Sequence, residues 1–315
     1  MTGHARGDKN PFVDASRDNT GRAPARGVRS RIAGAPISWG VCEVPGWGHQ
    51  LDAPTVLEQM RQLGLAATEF GPAGFLEEDP ESKAKQLAEY DLQAVGGFLP
   101  VLLHDRAHDP MPEVDAFIDS CLACGAGVVV LAAFTGTDGY DARPVLDDQG
   151  WSVMLGNLDR ISDRAVERGV VAALHPHMGT MVETREETER VIAGSHVGLC
   201  IDTGHLVVGG ADPVALTAQH PERVVHVHLK DVDQALADQV INGSIPFGRA
   251  VKEGIFRPLG DGDVDIAAMV GTLEAAGYRG WYVLEQDVML DDAPDDEGPV
   301  VDVRACLDYL AKVAG

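Results

Sequence analysis

From Arg31 to the C-terminus the chain alternates eight times between a short apolar run and a longer stretch with helix signals. The runs are Ile32–Ser38, Ala67–Phe70, Ala94–Leu99, Val128–Ala132, Val170–His175, Val197–Ile201, Val224–Leu229 and Trp281–Leu284. Continuous β-branched runs suit strands covered on both faces, as in a parallel sheet wrapped by helices. Asp52 before Pro54 reads as an N-cap with a first-turn proline, and Gly64 ends that helix. Pro80–Tyr90, Pro112–Cys124, Trp151–Arg168, Thr184–Ala193, Pro213–His220, Asp265–Ala276 and Val300–Val313 supply seven more helices. Gly125, Gly169, Gly194 and Gly277 stand where helix C-termini prefer glycine. Eight strands alternating with eight helices predict a single (β/α)8 barrel domain over residues 31–315. A doubly wound sheet would want a glycine-rich phosphate turn after the first strand, where the chain instead reads APISWGV.

Residues 1–30 lack any strand or helix period and are polar and rich in Gly and Arg, so a flexible N-terminal arm is expected there. The chain carries 25 Lys plus Arg against 49 Asp plus Glu, a formal charge of -24. That charge repels phosphate backbones and anionic lipid, which predicts no nucleic-acid and no membrane partner. No apolar run approaches the roughly 18 residues of a spanning helix, and none at the N-terminus reads as a leader. The five cysteines are odd in number and scattered, as in a reduced, cytoplasmic chain. Cys121 and Cys124 lie inside one expected helix with no second pair, so they are expected to pack and not to bind metal.

In a barrel of this kind the chemistry sits at the C-terminal ends of the strands. Those ends here read Ser38-Trp39, Thr68-Glu69-Phe70, His104-Asp105, LHPHMGT, CIDTGH, HVHLKD and LEQD. Alternate residues of a strand share a face. His175 therefore pairs with His177, Cys200 with Asp202, Val283 with Glu285, and His226 with His228 and Lys230. Two imidazoles and two carboxylates converging on one mouth suit Mn2+, Co2+, Zn2+ or Fe2+ better than an all-oxygen cation site. A lone buried histidine is ordinarily a hydrogen-bonded core residue, and His226, deeper in its strand, is read that way. His108, His196 and His220 read as surface residues. The six acidic residues between Asp287 and Glu297 read as a solvated loop, with a lid over the mouth as the alternative.

These strand ends resemble the xylose-isomerase-like TIM barrel superfamily of sugar isomerases, epimerases and dehydratases, across roughly residues 31–313. The superfamily holds a divalent metal by Glu, Asp, His and Glu from strands five to eight. Asp202 in IDTGH, His228 in HVHLKD and Glu285 in VLEQD match that set, while His175 stands where the first Glu is usual. APISWG and H-x-HMGT further resemble the myo-inosose dehydratases. That resemblance implies one Mn2+ or Co2+ ion, with Zn2+ or Fe2+ compatible, and loss of water from 2-keto-myo-inositol to a cyclic dione in inositol catabolism. Such chemistry needs a base, an acid and an enolate stabiliser. His177, His205 and Lys230 are the candidates for proton transfer, with base and acid unassigned. Trp39, Glu69, His104 and Arg257 are the candidates for binding the polyol. The expected partner is a small keto-polyol, and a homo-oligomer is compatible with the chain. A metal-dependent sugar isomerase or epimerase of the same superfamily is the runner-up, but a ketose 3-epimerase of that kind works with two metal-bound carboxylates, of which His175 leaves only Glu285. A non-catalytic sugar- or metal-binding barrel is the third reading, and an abasic-site endonuclease is disfavoured by the charge.

Overall fold

A computed structural model describes residues 27–42, 44, 46–137, 139–140, 143–294 and 297–313. Most of the expected arm therefore lies outside the described residues. Its last residues do not: Val28–Arg31 form a turn of 3-10 helix with Val28 buried.

The parallel strands are β1 Ile32–Gly34, β2 Ala67–Thr68, β3 Gln93–Ala94, β4 Gly96–Val101, β5 Val128–Ala133, β6 Val171–Leu174, β7 Gly198–Asp202, β8 Val224–Leu229 and β11 Tyr282–Leu284. Their order is β3-β2-β1-β11-β8-β7-β6-β5-β4. The two ends of that list are one chain segment, since β3 and β4 flank Val95. Val95 donates to Thr68 O on one side and accepts from Gly127 N on the other, so the nine strands close as eight barrel positions. The split is enforced at Gly96, where a Cβ would lie 2.0 Å from the Val128 carbonyl oxygen. The chain is thus a (β/α)8 TIM barrel.

The helices are α1 Ala53–Gln62, α2 Pro80–Glu89, α3 Met111–Cys124, α4 Asp148–Arg168, α5 Arg185–Gly194, α6 Thr203–Val208, α7 Pro213–Gln219, α8 Gln234–Ile241, α9 Phe247–Lys252, α10 Ile266–Ala276 and α11 Val300–Val313. Local chemistry sets their starts. Asp52, Asp79 and Asp147 accept from the backbone N–H three residues on, and Thr184 with Glu187 forms a reciprocal capping box. Gly125, Gly169 and Gly277 end helices in the left-handed conformation, as expected. Gly194 does not: α5 runs through it and stops at the extended Ser195. The reason is packing, since a Cβ at Gly194 would sit 2.7 Å from Leu155 Cδ1.

The first run also departs from expectation. Its strand stops at Gly34, and Pro36–Trp39 turns as a 3-10 helix ended by Gly40 at φ 77. Pro36 has no N–H to continue a ladder. Residues beyond β8 hold the larger surprise. Strands β9 Asp231–Val232 and β10 Phe256–Arg257 pair antiparallel and enclose α8 and α9. Val232, Ala237, Phe247, Val251, Ile255 and Phe256 give this insertion its own apolar cluster, which also holds Met178 and Val207. It sits at the C-terminal end of β8, beside the mouth.

Candidate active site

The strand ends do converge. Asp202 closes β7 and at once caps α6, its Oδ1 accepting from His205 N at 2.8 Å. That cap lays His205 one turn beyond Asp202, facing the same space. Gly204 between them is required, because a Cβ there would meet Phe256 Cε1 at 2.6 Å and Lys230 Cδ at 2.8 Å. Thr203 holds the neighbouring strand end by accepting from Lys230 N at 2.8 Å.

Around Asp202 Oδ2 stand Lys230 Nζ at 2.6 Å, His175 Nε2 at 3.3 Å and His228 Nδ1 at 3.6 Å. Glu285 Oε2 contacts Lys230 Nζ and lies 2.7 Å from His228 Nδ1. Asp287 Oδ1 is 3.5 Å from Lys230 Nζ, and its Oδ2 is 3.7 Å from His205 Nε2. On the far side of His228, Nε2 is 2.9 Å from Glu69 Oε1, which His226 Nε2 also reaches at 2.7 Å. His226 is thus the buried, hydrogen-bonded histidine that its depth suggested.

Charge shapes these groups. Burial disfavours the Lys230 ammonium, but Asp202, Asp287 and Glu285 hold its pKa well above the ordinary lysine value. Burial, with repulsion from Glu285 and Asp202 and against the pull of Lys230, pushes the Asp287 carboxyl up to about 7. Burial also pulls His177 down to about 3, helped by His175. His177 is therefore neutral near pH 7. Its Nδ1 lies 2.7 Å from Met178 O, and a carbonyl only accepts, so Nδ1 carries the proton and Nε2 is the free lone pair. The ring is clamped between Tyr140, stacked at 5.8 Å, and His205 at 3.8 Å. Gly179, at φ 74, lets Tyr140 in: a Cβ would stand 2.4 Å from Tyr140 Cδ1.

A cavity of about 630 Å3, open mouth included, has Glu69, His175, His177, His205, Lys230, Glu285 and Asp287 in its lining, while Asp202 and His228 lie outside that lining. Trp47, Phe98 and Tyr140 line it too, and Trp47 and Tyr140 meet at 5.4 Å. Three candidates for polyol binding fall outside the lining. Trp39 is buried in the main core, its Nε1 donating to Gln59 Oε1 at 2.8 Å. Arg257 pairs with Asp233 at 2.9 Å at the edge of the insertion. His104 is half-buried just past β4, with Nδ1 unpartnered. Glu69 does line the cavity, but its Oε1 is committed to two imidazoles. Trp47 and Tyr140 escaped the sequence reading because both stand in loops without strand period. The acidic loop is not wholly solvated: Asp287 turns inward, and Leu290 bridges to His49, while Asp291 and Asp292 are exposed. Residues 295 and 296 lie outside the described residues.

The donor set fits a divalent cation. Neither ring nitrogen of the fully buried His175 makes a well-directed hydrogen bond, Nε2 only facing Asp202 Oδ2 at 3.3 Å, and His228 Nδ1 makes none despite its nearness to Glu285. Asp202, His228 and Glu285 bring ligand atoms within 4.8 Å of one another, as do His175, Asp202 and His205. Asp202, Glu285 and Asp287 place three carboxyl groups around the Lys230 ammonium, an imbalance that a second positive centre would relieve.

The family model described as xylose isomerase-like TIM barrel matches residues 57–309. The chain is 35% identical over 300 residues to the rhizopine catabolism protein MocC of Rhizobium meliloti, covering 90% of this chain and 88% of that one. It is 31% identical over 264 residues to an inosose dehydratase of Geobacillus thermodenitrificans, covering 80% and 88% respectively. Among solved structures, the IolI protein with a bound zinc atom superposes with a TM-score of 0.65 at 15% identity, over 90% of this chain and 98% of that one.

Proposed function

The chain belongs to the xylose isomerase-like TIM barrel family, and from that premise we propose that it is a metal-dependent hydro-lyase acting on a keto-cyclitol, 2-keto-myo-inositol foremost. Relatives named inosose dehydratase at about 30% identity support the reaction class. The observation that carries the reading is the pairing of unpartnered ligand nitrogens around Asp202 with a neutral His177 whose free Nε2 borders the same cavity.

His175, Asp202, His228 and Glu285 are the ligands in this reading, and Mn2+ or Co2+ the expected ion. A cation bound there would polarise the ketone and a neighbouring hydroxyl, acidifying the α carbon and stabilising the enolate. His177 takes the α proton at Nε2. The β C–O bond then breaks, and its oxygen leaves as water with a proton from the Lys230 ammonium. The resulting hydroxy-enone moves its enol proton to carbon to give the dione, while His205, whose burial pulls its pKa well below the ordinary histidine value, flanks the His177 ring. Trp47, Phe98 and Tyr140 offer apolar walls to the C–H faces of a ring, and the surrounding carboxylates accept from its hydroxyls.

The test is metal analysis of the purified protein together with an assay on 2-keto-myo-inositol. We expect one divalent ion per chain, loss of activity with a chelator, and recovery with Mn2+ or Co2+ better than with Mg2+. The product is a conjugated dione with its own absorbance. Exchange at the α carbon with no loss of water would replace this reading with an isomerase or epimerase. Bound metal with no turnover on any keto-sugar would leave a binding barrel. Glu285→Ala should lose both metal and activity; full retention of the two would remove Glu285 from the ligand set.

A further inference from the structure

We propose that Glu69 and His226 form a positioning pair that fixes which nitrogen of His228 is presented to Asp202 and Glu285. The consequence for metal binding rests on the reading above; the hydrogen-bond geometry does not. Glu69 directly follows β2, while His226 and His228 stand on one face of β8, so the fold joins segments more than 150 residues apart. All three side chains are buried. A single oxygen, Glu69 Oε1, lies within hydrogen-bond distance of both Nε2 atoms.

A carboxylate oxygen only accepts, so both Nε2 atoms carry hydrogen. With Nε2–H committed to Glu69, His228 turns Nδ1 towards Asp202 and Glu285, where in the metal-free chain it too faces a carboxylate oxygen, at 2.7 Å, and a bound cation would take the place of its proton. A histidine oriented in this way by a carboxylate is both fixed in tautomer and made a more basic donor. His226 cannot join the same centre. It lies deeper along β8, its ligand atoms group with Glu69 and His228 and not with Asp202 or Glu285, and its own Nδ1 has no partner. What it does is hold the Glu69 carboxylate: with two donors on Oε1, that oxygen is fixed against His228. Glu69 is then a positioning residue whose other oxygen remains for the cavity it lines.

The experiment uses the full chain with 15N-labelled histidine, metal-free and titrated with Zn2+. We expect two downfield, slowly exchanging Nε2–H signals, from His226 and His228, in both states of the wild type. Glu69→Ala should lose both and lower Zn2+ affinity about tenfold to a hundredfold, measured by competition with a chelator. Glu69→Gln should recover most of that affinity, because its amide oxygen still accepts. His226→Phe should weaken Zn2+ binding less than Glu69→Ala does. Absence of the His228 Nε2–H signal in the wild type overturns the proposal, even if a variant fails to fold. Unchanged Zn2+ affinity in Glu69→Ala with only a raised KM also overturns it, and makes Glu69 a substrate ligand. Two Zn2+ per wild-type chain and one in Glu69→Ala would overturn it in favour of a second metal site on Glu69, His226 and His228. If the wild type binds no divalent metal, the metal reading falls, and the Nε2–H signals still decide the pair.

Discussion

His177 is fixed on three sides: Met178 O takes its Nδ1 proton, and Tyr140 and His205 flank its ring. Such a group loses little freedom on reaching a near-attack geometry. His177→Gln keeps a polar side chain and removes the basic nitrogen. We expect kcat to fall on the order of 10^2- to 10^4-fold with metal content unchanged. Metal loss in the purified variant would make His177 a ligand and put His175 in question, while unchanged kcat with a raised KM would reduce it to substrate binding. At this scale the sequence was informative wherever strand alternation applied. His175, Asp202, His228 and Glu285 were legible because each stands at the end of a recognisable apolar run, and the structure brings them together. Trp39 was not legible: Pro36 ends the ladder early, and the following 3-10 turn sends the indole into the core. No periodicity reported that Trp47, eight residues on, lines the cavity instead.

Elements follow the same division between local and tertiary causes. Caps are local, so the helix starts were readable. Asp52 accepts from Thr55 N at 2.8 Å, and this bond holds its carboxyl below its ordinary pKa of 3.8. A carboxyl lowered on folding adds stability above its unfolded pKa and loses it as pH falls through the folded one. Asp52→Ala should therefore cost about 1 kcal/mol at neutral pH. The difference from wild type should shrink as pH falls below 3.8, in urea melts of both proteins at each pH. A difference that persists at acid pH would mean that the lost packing, not the charged cap, sets the cost. Helices α8 and α9 are the opposite case. They are short, α8 burying Ala237 and α9 burying Phe247, Ala250 and Val251, so no long amphipathic period announces them. The division of the third barrel strand at Gly96 was equally hidden, because its cause is the carbonyl of Val128 on a different strand.

At the scale of the whole molecule, the barrel must also be held shut where β1 meets β11, the first and last strands in sequence. Arg31 does this. Its guanidinium donates to both oxygens of Glu274 at 2.6 Å and to the carbonyls of Tyr278 and Gly280, while Tyr282 OH donates to the same carboxylate at 2.8 Å. The folded body thus begins slightly before the boundary that composition suggested. Val28 is buried, and Arg29 donates to Ala311 O at 2.7 Å on the last helix. Two truncations separate this closure from the segment before it. A chain starting at Gly27 keeps every one of these contacts, and we expect it to melt and turn over like the full chain. One starting at Ile32 loses the Arg31 bridge and leaves two carbonyls and a carboxylate short of a donor. It should lose on the order of 1–3 kcal/mol of stability. Stability and kcat are measured on both. A large fall in kcat for the Gly27 chain, with its melting unchanged, would mean that residues 1–26 serve the active site, in their own subunit or a neighbouring one. Mixing that chain with a full-length chain carrying His177→Gln would then decide between the two, because only a segment acting across subunits restores activity.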